Sequence, residues 1–154
     1  MNVTFGELLS RDGKLVYKTC GVSMEPMLRQ NRDLVVIEVP AGRLKPMDVA
    51  FYKRGDKYVL HRVIKTADGH YLIRGDNTYV FENVPDSAVI GVLTGFQRKG
   101  RQYAVTDRRY LMYARFWNAI YPLRSFLFRV RRFAILIARK LGILPLIKKY
   151  LKKA

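Results

Sequence analysis

The sequence is poor in residues that form disulfides or bind soft metal ions. Its 154 residues include one cysteine, Cys20, and two histidines, His61 and His70. A single cysteine cannot form an internal disulfide, which excludes a secreted disulfide scaffold. Three such residues are also too few for a structural zinc site of the usual kind. We therefore expect neither a metal nor another cofactor, and we interpret Cys20 as a buried small apolar residue.

Long hydrophobic runs are also missing. The best candidate for a membrane span, residues 133–138, is six residues long and has two basic residues on each side. A spanning helix needs about 20 mostly apolar residues, so none is expected. The first seven residues have neither a basic region nor an apolar core, which predicts that the chain has no secretory signal.

Acidic residues are almost absent from the last third. Residues 1–97 contain 13 basic and 11 acidic side chains, whereas residues 98–154 contain 16 basic side chains and one acid, Asp107. The whole chain carries a formal net charge of +17, and nearly all of it lies in this last third. A polycation of this kind is typical of segments that bind nucleic acid, an anionic membrane or an acidic protein.

Residues 1–107 have the pattern of a compact β domain. Short runs of β-branched and aromatic residues alternate with turn signals, which favours a small antiparallel sandwich or barrel. Asp68-Gly69 marks the clearest hairpin, because these residue types supply positive φ angles. A short helix is predicted at 6–11. The six predicted strands are Leu15–Thr19, Leu34–Val39, Val49–Lys53, Tyr58–Thr66, Tyr71–Arg74 and Ala88–Lys99.

Residues 108–154 change to a helical period and form the predicted second domain. Pro122 and Pro145 divide them into helices at 108–121 and 123–141 and a short segment at 146–153. In the middle helix, most apolar residues fall on one face and most basic residues on the other. A basic amphipathic helix rich in phenylalanine and leucine is typical of a segment that lies in a membrane interface.

Ser23, His61 and Asp76 could together support nucleophilic catalysis. A serine becomes a nucleophile next to a base, and a neutral histidine needs an acceptor for its other nitrogen. In the strand around His61, a period of two places Val59, His61 and Val63 on one face. His61 therefore has apolar neighbours, where an imidazole needs a polar partner.

The segments around these residues resemble the S26 signal peptidases and the wider clan of S24 and S26 serine peptidases. The resemblance covers about residues 15–97, with four boxes in unbroken order, although Met47 stands where the family usually has glycine. The histidine box is that of the archaeal and endoplasmic-reticulum type. The boxes are Ser23-Met24-Glu25-Pro26-Met27-Leu28, Leu44-Lys45-Pro46-Met47-Asp48-Val49-Ala50-Phe51-Tyr52, His61-Arg62-Val63-Ile64 and Gly75-Asp76-Asn77.

The resemblance implies a serine endopeptidase that cleaves a precursor or leader peptide by acyl transfer. Ser23 would be the nucleophile, with its backbone N–H as an oxyanion donor, and His61 the general base. Asp76 is the preferred acid behind His61, and Glu82 is the alternative. The apolar floor of the substrate cleft would be formed by Met24, Pro26 and Met27.

The missing anchor ahead of Ser23 favours a peripheral enzyme over a general signal peptidase. We expect it on the cytoplasmic face of a prokaryotic membrane, bound to anionic lipid through residues 108–154. One alternative is a self-cleaving S24-type peptidase, although such proteins usually have a lysine where this chain has His61. Another is a non-enzymatic protein that binds an anionic membrane or nucleic acid. Nucleic acid is not the expected partner, because a phosphate backbone would offer no contact to the apolar half of the tail.

Overall fold

The main body of the protein is antiparallel β structure, as the sequence predicts, and eight strands form one sheet. The structure is a computed structural model that describes residues 4–142. The sheet order is β1-β2-β7-β3-β4-β5-β6, and β8 pairs with β7. The strands are β1 (Lys14–Lys18), β2 (Leu34–Glu38), β3 (Val49–Arg54), β4 (Lys57–Ala67), β5 (His70–Arg74), β6 (Glu82–Pro85), β7 (Val89–Arg98) and β8 (Arg101–Ala104).

Residues 4–142 contain three α-helices, and a short 3₁₀ helix at Asp86–Ala88 precedes β7. They are α1 (Phe5–Asp12), α2 (Arg108–Ala119) and α3 (Tyr121–Lys140). The first helix begins with a capping box, in which the Glu7 N–H donates to Thr4 Oγ1 and the Thr4 N–H donates to Glu7 Oε2. Each bond satisfies a donor that the first helical turn would otherwise leave unpaired. The predicted segment 146–153 lies outside the described residues.

Apolar side chains cover both faces of the sheet. Along β3, Phe51 belongs to one core cluster and Ala50 and Tyr52 to the other, because successive side chains in a strand point to opposite faces. The first cluster also contains Leu9 of α1, which is 1 % exposed. Helix α1 therefore covers the sheet face that bears Phe51.

The hairpin turns follow their sequence signals with one difference. Ala67 and His70 close the turn between β4 and β5, but only Gly69 of the Asp68-Gly69 pair has a positive φ, of 71°. Both central residues have positive φ in the turn between β7 and β8, where Lys99 is at 51° and Gly100 at 77°. These values fit the type I′ turn that joins tight hairpins.

The chain forms two compact units, residues 1–117 and residues 118–154. Tyr110 and Ala114 of α2 are buried, so most of this basic helix belongs to the first unit. That unit therefore extends ten residues beyond residue 107, after which the sequence changes to a helical period. Within residues 4–142, no helix combines the length and the apolar composition that a membrane span requires.

Candidate active site

Ser23 lies in the loop between β1 and β2. Hydrogen bonds between the two ends of this loop close it at its base. The Thr19 N–H donates to the Asp33 carbonyl (2.9 Å), and the Thr19 hydroxyl donates to the Arg29 carbonyl (2.8 Å). A second segment holds Ser23 itself, because the Asn77 N–H donates to the Ser23 carbonyl (2.7 Å). The Asn77 side chain adds a bond to the Val22 carbonyl (3.2 Å). The serine box and the Gly-Asp-Asn box are therefore in direct contact.

His61 is buried in β4, on the face that the strand period predicts. Its Nδ1 lies 3.2 Å from Glu82 Oε1 and 3.1 Å from the Tyr52 hydroxyl. That hydroxyl also donates to Glu82 Oε2 at 3.0 Å. The His61 Nδ1, the Tyr52 hydroxyl and the Glu82 carboxylate therefore each contact the other two.

Glu82 is held in its ionised form. Burial raises the pKa of this carboxyl, but hydrogen bonds from Arg54 and Tyr52 lower it more, and the result is a pKa below the ordinary value. Arg54 Nη1 contacts both carboxylate oxygens at 3.0 Å. An ionised carboxylate only accepts hydrogen bonds. Since Tyr52 gives its proton to Glu82, the proton between Glu82 and His61 must belong to Nδ1.

The other ring nitrogen of His61 is then a free base. Burial lowers the pKa of His61, the Arg54 cation lowers it further, and the Glu82 carboxylate only partly offsets this. The imidazole is therefore neutral at pH 7, with its proton on Nδ1 and its lone pair on Nε2. This is the tautomer that a general base for serine requires.

Gly75 shows where Nε2 points. A Cβ built on this glycine would lie 3.0 Å from His61 Nε2 and 2.7 Å from the Ser23 carbonyl oxygen. The imidazole nitrogen and the Ser23 backbone thus approach the same point, and glycine is the residue that leaves room for both. Within residues 4–142, the Ser23 hydroxyl makes no hydrogen bond, and the Ser23 N–H is likewise unused. Catalytic hydrogen bonds are often long before substrate binds.

Asp76 has a different principal partner from the one expected. Arg62 Nε and Nη2 donate to its two carboxylate oxygens at 2.8 Å and 2.7 Å, and both side chains are almost fully buried. Tyr113 of α2 also donates to Asp76 (3.2 Å). The sequence analysis preferred Asp76 as the acid behind His61, but the structure brings Glu82 to Nδ1 and pairs Asp76 with Arg62.

The Arg62–Asp76 pair connects the site to α2. Arg62 Nη1 donates to the Tyr110 hydroxyl (3.1 Å), and Trp117 Nε1 donates to the Asp76 carbonyl (2.9 Å). Both aromatic residues belong to the first compact unit. Burial lowers the pKa of Arg62, but the Asp76 carboxylate raises it more, so the guanidinium stays charged. Asp76 therefore fixes the loop that contacts Ser23.

Ser23 and His61 both line a cleft of about 960 Å³. Of the three residues predicted for its apolar floor, Met24 lines it among the described residues. Met27 is in the core, where its sulfur accepts a hydrogen bond from Arg62 (3.3 Å), and Pro26 is half-buried outside the lining. The interpretation of Cys20 as a buried residue is wrong: its side chain is exposed in the cleft wall. The apolar wall consists of Phe5, Tyr17, Met24, Leu28, Tyr58, Val59, Leu60 and Val80.

One edge of β4 faces this cleft without a neighbouring strand. Strand β3 pairs with β4 from residue 57 onward, whereas the pairing with β5 begins at Arg62. Residues 57–61 therefore have a paired strand on one side only within the described chain, and all five line the cleft. The unpaired backbone groups of such an edge can accept an extended peptide as an additional strand.

Tyr52 and Arg54 belong to the candidate site, although the sequence analysis gave neither residue a role. They share a face of β3 with Ala50, which lies opposite His61 in the β3–β4 register. The alternation of residues 50, 52 and 54 could have placed them on one face. No sequence signal sets the register that carries this face to His61.

No protein-family model matches the sequence, and no curated protein is similar enough to count as a relative.

Proposed function

We propose that this protein is a serine endopeptidase that cleaves a precursor or leader peptide by acyl transfer, with Ser23 as nucleophile and His61 as general base. The observation that carries the proposal is the environment of His61. Its Nδ1 is bonded to an ionised Glu82 and to Tyr52, while Nε2 faces the Ser23 loop at a cleft wall. A base held in this tautomer beside a serine is the arrangement that acyl transfer needs.

In the first step, Ser23 Oγ attacks the scissile carbonyl and its proton passes to His61 Nε2. Glu82 stabilises the imidazolium that forms, because it accepts the Nδ1 proton and carries the opposite charge. The Ser23 N–H stabilises the oxyanion of the tetrahedral intermediate. His61 then protonates the leaving amine, and the C–N bond breaks to give an acyl-enzyme. Water, deprotonated by His61, releases the acyl product and restores Ser23.

The free edge of β4 supplies the mode of substrate binding. An extended peptide along residues 57–61 would form backbone hydrogen bonds whatever its side chains, and it would reach the catalytic base at the His61 end. Apolar contacts would come from the cleft wall, including Met24 and Tyr58. The substrate is therefore an unfolded segment, such as a leader or a processing site, since a folded domain does not present a free strand there.

A complex peptide mixture can test the proposal before the natural substrate is identified. The full chain is incubated with the mixture, and new peptide ends are detected by mass spectrometry. A fluorophosphonate reagent, which modifies activated serines, is used in parallel. We expect Ser23→Ala to remove the adduct and to lower cleavage by about 10⁴ to 10⁶ fold without changing the melting temperature.

Ser10→Ala is the matched control, because Ser10 is exposed on α1 and lies outside the cleft lining. It should cleave and label as the unaltered chain does. The assignment of the nucleophile is wrong if Ser23→Ala cleaves at the unaltered rate, or if the reagent never modifies Ser23. Cleavage confined to the chain itself would favour the self-cleaving alternative.

A further inference from the structure

Helix α3 carries an apolar stripe that is open to solvent. At about 100° per residue, seven side chains of the helix and its C-cap residue fall within roughly 120° of one face. Their exposed fractions range from 42 to 66 %. The stripe consists of Leu123, Phe126, Leu127, Val130, Phe133, Ile137 and Leu141.

This stripe is too long to be incidental surface. Its helix has 20 residues, which corresponds to about 30 Å at 1.5 Å per residue. Scattered exposed apolar residues are common, but a contiguous apolar patch beyond a few hundred Å² marks a surface that binds something. We therefore expect a partner to cover the stripe.

Cations border the stripe and continue around the helix. Arg129 and Lys140 lie on one flank, and Arg131 lies on the other. Residues 118–142 contain six basic residues and no acid. A second copy of this helix would bring two such charged surfaces together, which disfavours self-association. The flanks match a surface that is both anionic and able to take up apolar side chains.

We propose that α3 lies in the interface of an anionic lipid bilayer, parallel to its plane. The stripe enters the boundary between the headgroups and the acyl chains, and the flanking cations contact lipid phosphates. A nucleic acid would match the cations but leave the stripe in water. A spanning orientation is disfavoured by the same six cations. This inference rests on α3 alone and holds whether or not Ser23 is a nucleophile.

The test is co-sedimentation of the full chain with two kinds of vesicle. One kind is phosphatidylcholine alone, and in the other kind phosphatidylglycerol makes up about one third of the lipid. We expect binding to the mixed vesicles that weakens as salt rises but persists, since salt screens charges and not the apolar contribution. Phe133→Asp should weaken binding by more than tenfold, because burying a phenylalanine contributes about 1.5–3 kcal/mol. Val39→Asp, at an exposed apolar residue outside α3, is the matched control.

A second pair of variants tests the charges. Arg129→Glu/Arg131→Glu should weaken binding by at least about tenfold, because each cation near an anionic surface contributes about 1 kcal/mol. Lys53→Glu/Lys65→Glu changes the net charge equally at exposed residues of the sheet and should have little effect. None of these side chains is buried, so the fold should tolerate every replacement.

Four outcomes would overturn the proposal. The first two are that the chain binds both kinds of vesicle equally, and that Phe133→Asp binds as tightly as the unaltered chain. The third is that the charge replacements in α3 and those in the sheet weaken binding equally. The fourth is that the bound chain resists extraction at high pH, which would indicate a spanning helix. A dimer in solution that Phe133→Asp dissociates, with no vesicle binding, would assign the stripe to a second copy. Salt-sensitive binding to nucleic acid alone would assign the charges to that partner.

Discussion

Replacing Glu82 by glutamine and Asp76 by asparagine should separate the roles of the two carboxylates that the sequence offers as the acid behind His61. Each change keeps the size of the side chain and removes its charge. Glu82 contacts His61, which would become positively charged in the proposed acyl transfer, whereas Asp76 neutralises Arg62, which is always charged. We therefore expect Glu82→Gln to lower the rate and Asp76→Asn to lower the stability.

The size of the first effect follows from the geometry. Two opposite charges 3.2 Å apart attract each other by about 5 kcal/mol at an effective dielectric constant near 20. Glu82 is 22 % exposed and also binds Arg54, so water and the guanidinium reduce its effect on the imidazolium. A remaining contribution of about 1–3 kcal/mol corresponds to a loss of roughly 5–150 fold in kcat. The melting temperature should change little.

The second effect follows from burial. Arg62 and Asp76 side chains are 1 % and 3 % exposed. Removing one member of a buried ion pair typically costs about 3–5 kcal/mol, because the other charge is left without compensation. For a chain of this length, that corresponds to a melting temperature lower by roughly 6–20 °C. Replacing Arg62 by methionine in the same chain should recover part of the loss, since no unpaired charge would remain.

The assays are peptide cleavage, once a cleaved sequence has been found, and thermal unfolding of the same preparations. The reasoning fails if Asp76→Asn has the melting temperature of the unaltered chain and its kcat falls by the factor expected for Glu82→Gln. It also fails if Glu82→Gln is fully active, because Tyr52 alone would then be enough to orient His61. Arg54→Gln changes the partner of Glu82 and leaves Glu82 and His61 in place. It should raise the pKa of His61, since a nearby cation is removed.

Two further predictions concern pH and backbone strain. Because burial lowers the pKa of His61 and only the neutral imidazole is a base, kcat/KM should rise with pH through a midpoint below about 6.5. In Glu82→Gln the midpoint should lie lower still, since the carboxylate that raises the pKa of His61 is removed. A midpoint above 7 in the unaltered chain would contradict this environment. Met47 has a φ of 82°, a region that strains any residue with a Cβ, so Met47→Gly should raise the free energy of unfolding by about 1 kcal/mol in denaturant titrations. A destabilised Met47→Gly would show that the half-buried methionine side chain contributes more than the strain removes.

The sequence predicts the strands and the orientation of His61 because these depend on local patterns. Alternation along β4 places His61 and Val63 on one face, and the structure has Val63 in the cluster that contains Tyr52. Strands β6 and β8 escaped prediction because they have four residues each and little β-branched character. Strand β8 pairs with β7 through the local turn at Lys99-Gly100, and β6 pairs with β5.

The sequence named both Asp76 and Glu82 as the acid behind His61 but could not choose correctly between them, since the choice depends on how the strands pair. Glu82 pairs with Ile73 at the start of β6, and that register carries its carboxylate to His61. Asp76 is closer to His61 in the chain and lies in a recognisable box, but the neighbouring Arg62 binds it. The sequence also marked Met47 as unusual, and its positive φ gives the physical reason for a glycine at this position.

The domain boundary shows that charge and packing need not change at the same residue. Acidic residues become rare after residue 97, which suggested that all the basic helices form one tail. In α2 the basic side chains lie outside, while Tyr110 and Ala114 are buried. A helix can be strongly cationic and still contribute one face to a core.

The contacts of Asp76 make α2 and the loop that contacts Ser23 a single cooperative element. Detaching α2 would remove Tyr110 from Arg62 and Trp117 from Asp76 at once, and would expose the most deeply buried ion pair of the described chain to water. Local opening of one part is rare when it disrupts the other. The segment that holds Ser23 in place should therefore open only in fluctuations that also release α2, with a protection against hydrogen exchange far above that of an ordinary surface loop.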